Sequence, residues 1–116
     1  MFKVLLVDDS AIDITLIQDV LETYIPYNKC ITSFTNSAEA KEHYLRHDFD
    51  LVVTDIEMPD IDGFELIDCI KRNGKQPVIA ISGSHANDNS TDTILYAAHK
   101  CGADYVISKA TLYEDL

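Results

Sequence analysis

The stretch from Asp50 to Gly63, DLVVTDIEMPDIDG, limits what this chain can become more than any other. Leu51-Val52-Val53 is a short apolar run whose β-branched members favour a strand buried on both faces. It stops abruptly at an acidic, turn-forming segment, which leaves the carboxylate of Asp55 at the strand's C-terminal edge. Ligand crevices in open parallel sheets form at that edge, so Asp55 stands where chemistry is expected. Pro59 and Gly63 shape the loop that follows.

The rest of the chain repeats the same alternation. Phe2 to Val7 reads as a first strand, apolar enough to be central, and ends in Asp8-Asp9. Ser10 is placed to cap a helix from about Ala11 to Ile25, in which Ile12, Leu16, Ile17, Val20, Leu21 and Tyr24 recur at helical spacing and which Pro26 stops. Lys29 to Phe34 is a more polar strand, as an edge strand would be. Ser37 is expected to cap a second helix from Ala38 to about His47. Beyond the acidic loop, Gly63 to Asn73 predicts a third helix, with Gly74 as a left-handed stop. Pro77 to Ser82 is the fourth strand, and the polar stretch Gly83 to Asn89 is expected to be mobile. Ile94, Ala97, Ala98 and Cys101 mark a fourth helix ended by Gly102, and Tyr105 to Ser108 the fifth strand.

This order predicts one doubly wound α/β domain, a five-stranded parallel sheet with helices on both faces and right-handed crossovers. Thr111 to Leu116 would supply only about 9 Å of a fifth helix at ~1.5 Å per residue, too little to cover its share of the sheet. A truncated last helix is therefore expected, with residues 1–116 forming a fragment of a longer protein or a partner covering the gap.

Composition narrows the function. A chain of 116 residues suits one domain with its own core. No apolar run approaches the ~18 residues of a membrane span, and Phe2 to Val7 is too short for a signal peptide, so a cytoplasmic location is expected. Cys30, Cys69 and Cys101 form no CxxC and read as reduced thiols. A formal net charge of −11 with only nine Lys and Arg argues against direct nucleic-acid binding. Part of the acidity is local: Asp8, Asp9, Asp55, Glu57, Asp60 and Asp62 lie on loops that the fold would gather at one sheet edge. A hard divalent cation there would relieve their repulsion. His43 and His47, at i, i+4, lack an HExxH pattern and are assigned to a solvated helix face.

Other acidic motifs fit worse. An EF-hand placed on Asp60-Ile61-Asp62-Gly63 would put Met58 and Cys69 at positions that need oxygen ligands. The DxDxT pattern of haloacid-dehalogenase-type phosphatases is not matched by Asp8-Asp9-Ser10-Ala11-Ile12, and no glycine-rich phosphate loop is present.

Four separated signals run along nearly the whole chain: Asp8-Asp9 after the first strand, Asp55 with Met58-Pro59 and Asp62-Gly63 behind it, Ser82 after Pro77-Val78-Ile79-Ala80-Ile81, and Lys109 near the end. In this order and spacing they resemble a response-regulator receiver domain, the phosphoacceptor module of two-component signalling. The resemblance, with the flavodoxin-like precedent, implies the strand order 2-1-3-4-5. It implies Asp55 as the nucleophile that becomes an aspartyl phosphate. Asp9 and Asp55 would ligate Mg2+ directly, Asp8 through water, and Glu57 through its backbone carbonyl. Lys109 would pair with one phosphoryl oxygen and the Ser82 hydroxyl with another. The implied partners are a histidine kinase or histidine phosphotransfer protein as donor and an output domain or effector as target. Such a domain is not a stand-alone enzyme, although it catalyses its own phosphorylation and dephosphorylation.

The chain departs from the family pattern in two places. Ala110 follows Lys109 where the family has proline, so a trans peptide is expected there. Val106 stands where the switch aromatic belongs, three residues before the lysine, with Tyr105 one place off and facing the other way. Output is then expected to travel through Gly83 to Asn89 and the start of the fourth helix. Two other function classes compete: a pseudo-receiver acting only through protein contacts, against which the intact acidic, hydroxyl and lysine set argues, and a free-standing phosphatase, for which no substrate-binding feature is found.

Overall fold

The structure, a computed structural model, describes residues 1–26, 28–56, 63–82 and 102–109. The strands are β1 Phe2–Val7, β2 Lys29–Phe34, β3 Leu51–Asp55, β4 Val78–Ser82 and β5 Tyr105–Ser108. They form one parallel sheet in the order β2-β1-β3-β4-β5. The helices are α1 Ala11–Tyr24, α2 Ser37–Arg46 and α3 Gly63–Asn73. The doubly wound fold and strand order expected from the sequence are thus observed.

Alternation along the central strands sorts the core into two layers. Val4 and Leu6 of β1, with Leu51 and Val53 of β3, pack against Ile14, Ile17 and Leu21 of α1. Leu5, Val7 and Val52 point the other way, against Ala40 and Tyr44 of α2 and Leu66, Ile67 and Ile70 of α3. Residues of β3 are buried throughout, Asp55 included. Each fully buried aliphatic side chain is worth roughly 1.5–3 kcal/mol relative to exposure, so the central strands β1 and β3 carry much of the core's stabilisation. Both strands end in acids. The edge strand β2 is only half-buried, in keeping with its more polar sequence.

On β5, Val106 packs against the layer beneath α2 and α3, whereas Tyr105 is 63% exposed. The opposite phases expected for these neighbours are therefore present.

Two local expectations are corrected. The cap of α2 is Asn36, not Ser37: Asn36 Oδ1 accepts the Glu39 N–H at 3.0 Å, while Ser37 is the first helical residue and buried. Asn caps as well as Ser, and one residue decides which carbonyl or hydroxyl faces the free N–H groups. Gly74 is not left-handed: its φ is not positive, although its N–H still closes the helix on Ile70 O at 2.8 Å. Among the described glycines only Gly102 has positive φ, 116°. A Cβ at Gly74 would instead collide with Gln76 Oε1 and the Tyr44 hydroxyl. Space, not backbone handedness, accounts for glycine there.

Glu57, Asp60, Asp62, the Gly83 to Asn89 loop, the fourth helix, Ala110 and the short fifth helix lie outside the described residues. The expectations for metal ligation by the Glu57 carbonyl, for the Lys109-Ala110 peptide and for the output route fall on them.

Candidate functional site

Three chain segments meet at the C-terminal edge of the sheet. The first is the β1–α1 turn. Asp8 N–H is held by the Phe34 carbonyl of the neighbouring strand at 3.1 Å, and Asp8 Oδ1 accepts the Ser10 N–H at 2.9 Å. Ser10 in turn caps α1, its hydroxyl accepting the Asp13 N–H at 3.3 Å. This turn fixes Asp8 inward and fully buried, leaves Asp9 exposed, and puts Asp13 in the first turn of α1.

The second segment is the end of β3. Asp55 is 4% exposed and Ile56 N–H bonds Ile81 O of β4 at 3.1 Å. Gly63, where α3 begins, donates to Ile56 O at 3.3 Å. A Cβ at Gly63 would overlap Ile56 Cα and stand 2.5 Å from the Asp55 carbonyl oxygen, so only glycine lets α3 start against the backbone of Asp55. The third segment comes from β4 and β5, where Ser82 pairs in register with Ser108. Ser82 is fully buried, and Lys109 follows directly.

Lys109 binds the parts together. Its ammonium lies 2.7 Å from Asp8 Oδ2, 2.8 Å from Asp13 Oδ2 and 3.2 Å from Asp55 Oδ2. Burial works against the charged ammonium, but its close contacts with Asp13 and Asp8 and the charge of Asp55 outweigh it and hold its pKa above the ordinary lysine value. Asp8 shows the opposite balance: burial drives its carboxyl above the usual carboxylate range, only partly offset by Lys109 and the Ser10 N–H.

Carboxylate oxygens of Asp8, Asp9 and Asp55 lie within 4.8 Å of one another, the group among the described residues suited to a metal ion. Two like charges 4 Å apart repel by about 4 kcal/mol at an effective dielectric constant near 20. Among the described residues the Lys109 ammonium meets three carboxylates, those of Asp8, Asp13 and Asp55. Asp8 Oδ2 is buried and makes no hydrogen bond; Lys109 approaches it as an ion pair outside hydrogen-bonding angles. A buried oxygen in that state, in an oxygen-only set with one exposed member, fits a hard divalent cation that keeps part of its water.

The structure brings Asp8, Asp9, Asp55, Ser82 and Lys109 to one sheet edge, as their strand-end positions predicted. Asp13 was not singled out from the sequence. An acid in the first turn of a helix is ordinarily read as a dipole partner, and only its position beside Asp8 on an inward-facing turn would have marked it.

Comparison with known proteins agrees with this geometry. The family model described as response regulator receiver domain matches residues 4–116. A protein-glutamate methylesterase/protein-glutamine glutaminase of Methanospirillum hungatei is 34% identical over 116 residues, 99% of this chain and 32% of that protein. The response regulator TrrA of Thermotoga maritima, solved in complex with Mg2+-BeF, superposes with a TM-score of 0.73 at 26% identity, covering 93% of this chain and 86% of that one. A chain from the complex of the CheA3 P1 domain with CheY6 of R. sphaeroides gives 0.72 at 27% identity, covering 93% and 81%. The chain spans less than half the length of the curated relatives it matches, 44% of one and 15% of another. By its family match over nearly its whole length, this chain belongs to the response regulator receiver domains of two-component signalling.

Proposed function

We propose that this chain accepts a phosphoryl group on Asp55 and passes the resulting change to an output domain or effector. The observation that carries the reading is the position of Asp55: buried at the end of β3, 3.2 Å from the Lys109 ammonium, and within 4.8 Å of carboxylate oxygens from Asp8 and Asp9. An Asp55 carboxylate oxygen attacks phosphorus and forms the new P–O bond while the bond from phosphorus to the donor breaks, P–N for a phosphohistidine and P–O for acetyl phosphate, the electron pair leaving with the imidazole nitrogen or the acetate oxygen. Lys109 is held to neutralise one phosphoryl oxygen, and the Ser82 hydroxyl to donate to another. Asp8, Asp9 and Asp55, with the Glu57 carbonyl, would hold Mg2+, Asp8 through water. The ion supplies charge neutralisation for the oxygens of the transferring group. Hydrolysis of the acyl phosphate at the same site would return Asp55 to its free state.

The likeness to a receiver solved with Mg2+-BeF supports the metal, and the likeness to a chain of a CheA3–CheY6 complex supports a histidine kinase or phosphotransfer protein as donor. Relatives that carry the matching segment inside longer chains support reading residues 1–116 as the receiver part of a larger protein. Among the described residues no helix is long and apolar enough to cross a membrane, which accords with the proposed cytoplasmic setting.

Incubation with Mg2+ and acetyl phosphate tests the reading. Label on Asp55 in the native chain and none in Asp55→Asn is the expected result. Equal label in both would overturn it, and no label in either would favour the pseudo-receiver that acts only through protein contacts.

A further inference from the structure

A lysine ammonium has three N–H bonds to give. That of Lys109 gives one to Asp13 Oδ2 at 2.8 Å and one to Asp55 Oδ2 at 3.2 Å, and Asp8 Oδ2 stands 2.7 Å from the same nitrogen. Three carboxylates thus already surround the group that a phosphoryl oxygen would need, and one of these contacts has to open before Lys109 can meet it. They differ in how readily they open. Asp8 is fully buried and Asp55 is 4% exposed, so water cannot replace the ammonium at either, and a buried carboxylate left without its counter-charge is costly. The Asp13 side chain is 24% exposed, and water can take the place of the lysine there.

We propose that Asp13 is a positioning residue of the resting state: it seats the Lys109 ammonium between transfers and releases it when a phosphoryl group arrives on Asp55. The inference rests on the reading of Asp55 as phosphoacceptor. Asp55 takes the incoming group and Asp8 belongs to the carboxylate set suited to a metal, whereas Asp13 lies outside that set. Its place beside the lysine is fixed by the turn that also buries Asp8. Asp8 Oδ1 holds the Ser10 N–H, and the Ser10 hydroxyl accepts the Asp13 N–H, so the first turn of α1 starts with Asp13 at the site. The helix dipole favours a negative charge in that turn.

Such a seat sets up a competition for one ammonium. A partly exposed ion pair shifts an equilibrium by up to about fivefold, so Asp13 holds back the capture of a phosphoryl group without preventing it. An acid at this place also repels an anionic donor directly. The two effects part company when the lysine is removed: repulsion between Asp13 and the donor persists, whereas competition for Lys109 disappears.

Calorimetric titration of the 116-residue chain with beryllofluoride, a mimic of the phosphoryl group, in saturating Mg2+ tests the proposal. Asp13→Asn should bind about fivefold more tightly than the native chain. Asp19→Asn, which removes an exposed acid from the same helix, should bind as the native chain does. Added to Lys109→Met, Asp13→Asn should change nothing, since the two residues act through one contact. The side-chain nitrogen resonance of Lys109 should shift in Asp13→Asn before any ligand is added, and beryllofluoride should bring the native and variant resonances together. Thermal melting reports whether each variant folds. Unchanged or weaker binding by folded Asp13→Asn, equal tightening in Asp19→Asn, tightening that persists without Lys109, or an unmoved Lys109 resonance would each overturn the seat while leaving acetyl phosphate labelling of Asp55 intact. A native chain that neither takes label nor binds beryllofluoride would overturn the phosphoacceptor reading, and the seat with it.

Discussion

Lys109 and Lys71 each join an aspartate far away in sequence, the first pair buried and the second partly in water. Lys109 is buried among Asp8, Asp13 and Asp55, three carboxylates to one ammonium. Lys71 reaches from α3 to Asp104 at 2.5 Å and to the Gln76 carbonyl at 3.1 Å, both partially in water. Asp104 Oδ2 also accepts the Val78 N–H at 2.8 Å, so this group ties the end of α3 to the start of β4 and the approach to β5. Here every charge has a partner of opposite sign. The difference separates a latch from a site: the latch pairs one ammonium with one carboxylate, whereas at the edge around Lys109 one ammonium meets three.

Replacing each lysine by methionine breaks the comparison most strongly. Lys109→Met should lower acetyl phosphate labelling of Asp55 by about 10²-fold or more, the cost of one preorganised donor to developing charge. It should also destabilise the metal-free chain by roughly 3 kcal/mol in urea unfolding, because buried carboxylates lose their counter-charge. Lys71→Met should leave labelling unchanged. Equal effects from the two would erase the distinction.

Metal binding gives the next largest effect. At a hundredfold excess over its Kd, Mg2+ should stabilise the native chain by about 2.7 kcal/mol, read as a rise in Tm. Asp8→Asn should lose most of that rise and yet be more stable than the native chain without metal at pH 7. The sign follows from the raised pKa of Asp8: such a group favours folding while protonated, and that contribution disappears as pH rises through the folded-state value. At neutral pH the ionised carboxylate is therefore a burden that Asn removes. A less stable Asp8→Asn would mean that its pairing with Lys109 outweighs its burial.

Asp13→Asn sharpens the picture further. With one competitor for Lys109 uncharged, labelling at Asp55 should quicken by about fivefold, equivalent to ~1 kcal/mol for a partly exposed ion pair. A slower rate would show that Asp13 positions the lysine for the reaction.

The smallest effect belongs to the latch. Burial would raise the pKa of Asp104, but Lys71 and the Val78 N–H outweigh it and hold the carboxyl below its ordinary range. The stability it contributes is present above the unfolded-state value and lost as pH falls through the folded-state one. Asp104→Asn should cost about 0.5–1 kcal/mol at pH 7, discounted for solvent screening, and the difference from the native chain should shrink on acidification. Urea unfolding at pH 7 and pH 3 checks both parts.

What could be read along the chain was what depends on near neighbours. Short apolar runs, each ended by polar residues, already defined the strands and put Asp8, Asp55, Ser82 and Lys109 at strand ends. A period of two was enough to set Tyr105 and Val106 on opposite faces. Local ambiguity marked the limit of that reading at Asn36 and Ser37, adjacent residues that cap helices equally well.

Tertiary structure decided the rest, because it depends on groups brought together from distant segments. Asp13 is an ordinary first-turn acid until Lys109 arrives from 96 residues away. Gly74 resembles a helix stop until the Tyr44 hydroxyl from α2 occupies the space a side chain would need. His43 and His47 were both assigned to solvent; His47 is exposed, but Phe34 from β2 and Phe49 from the approach to β3 give the half-buried His43 an apolar wall. Helical and strand periods state which way a side chain points; only packing of distant segments determines what it meets.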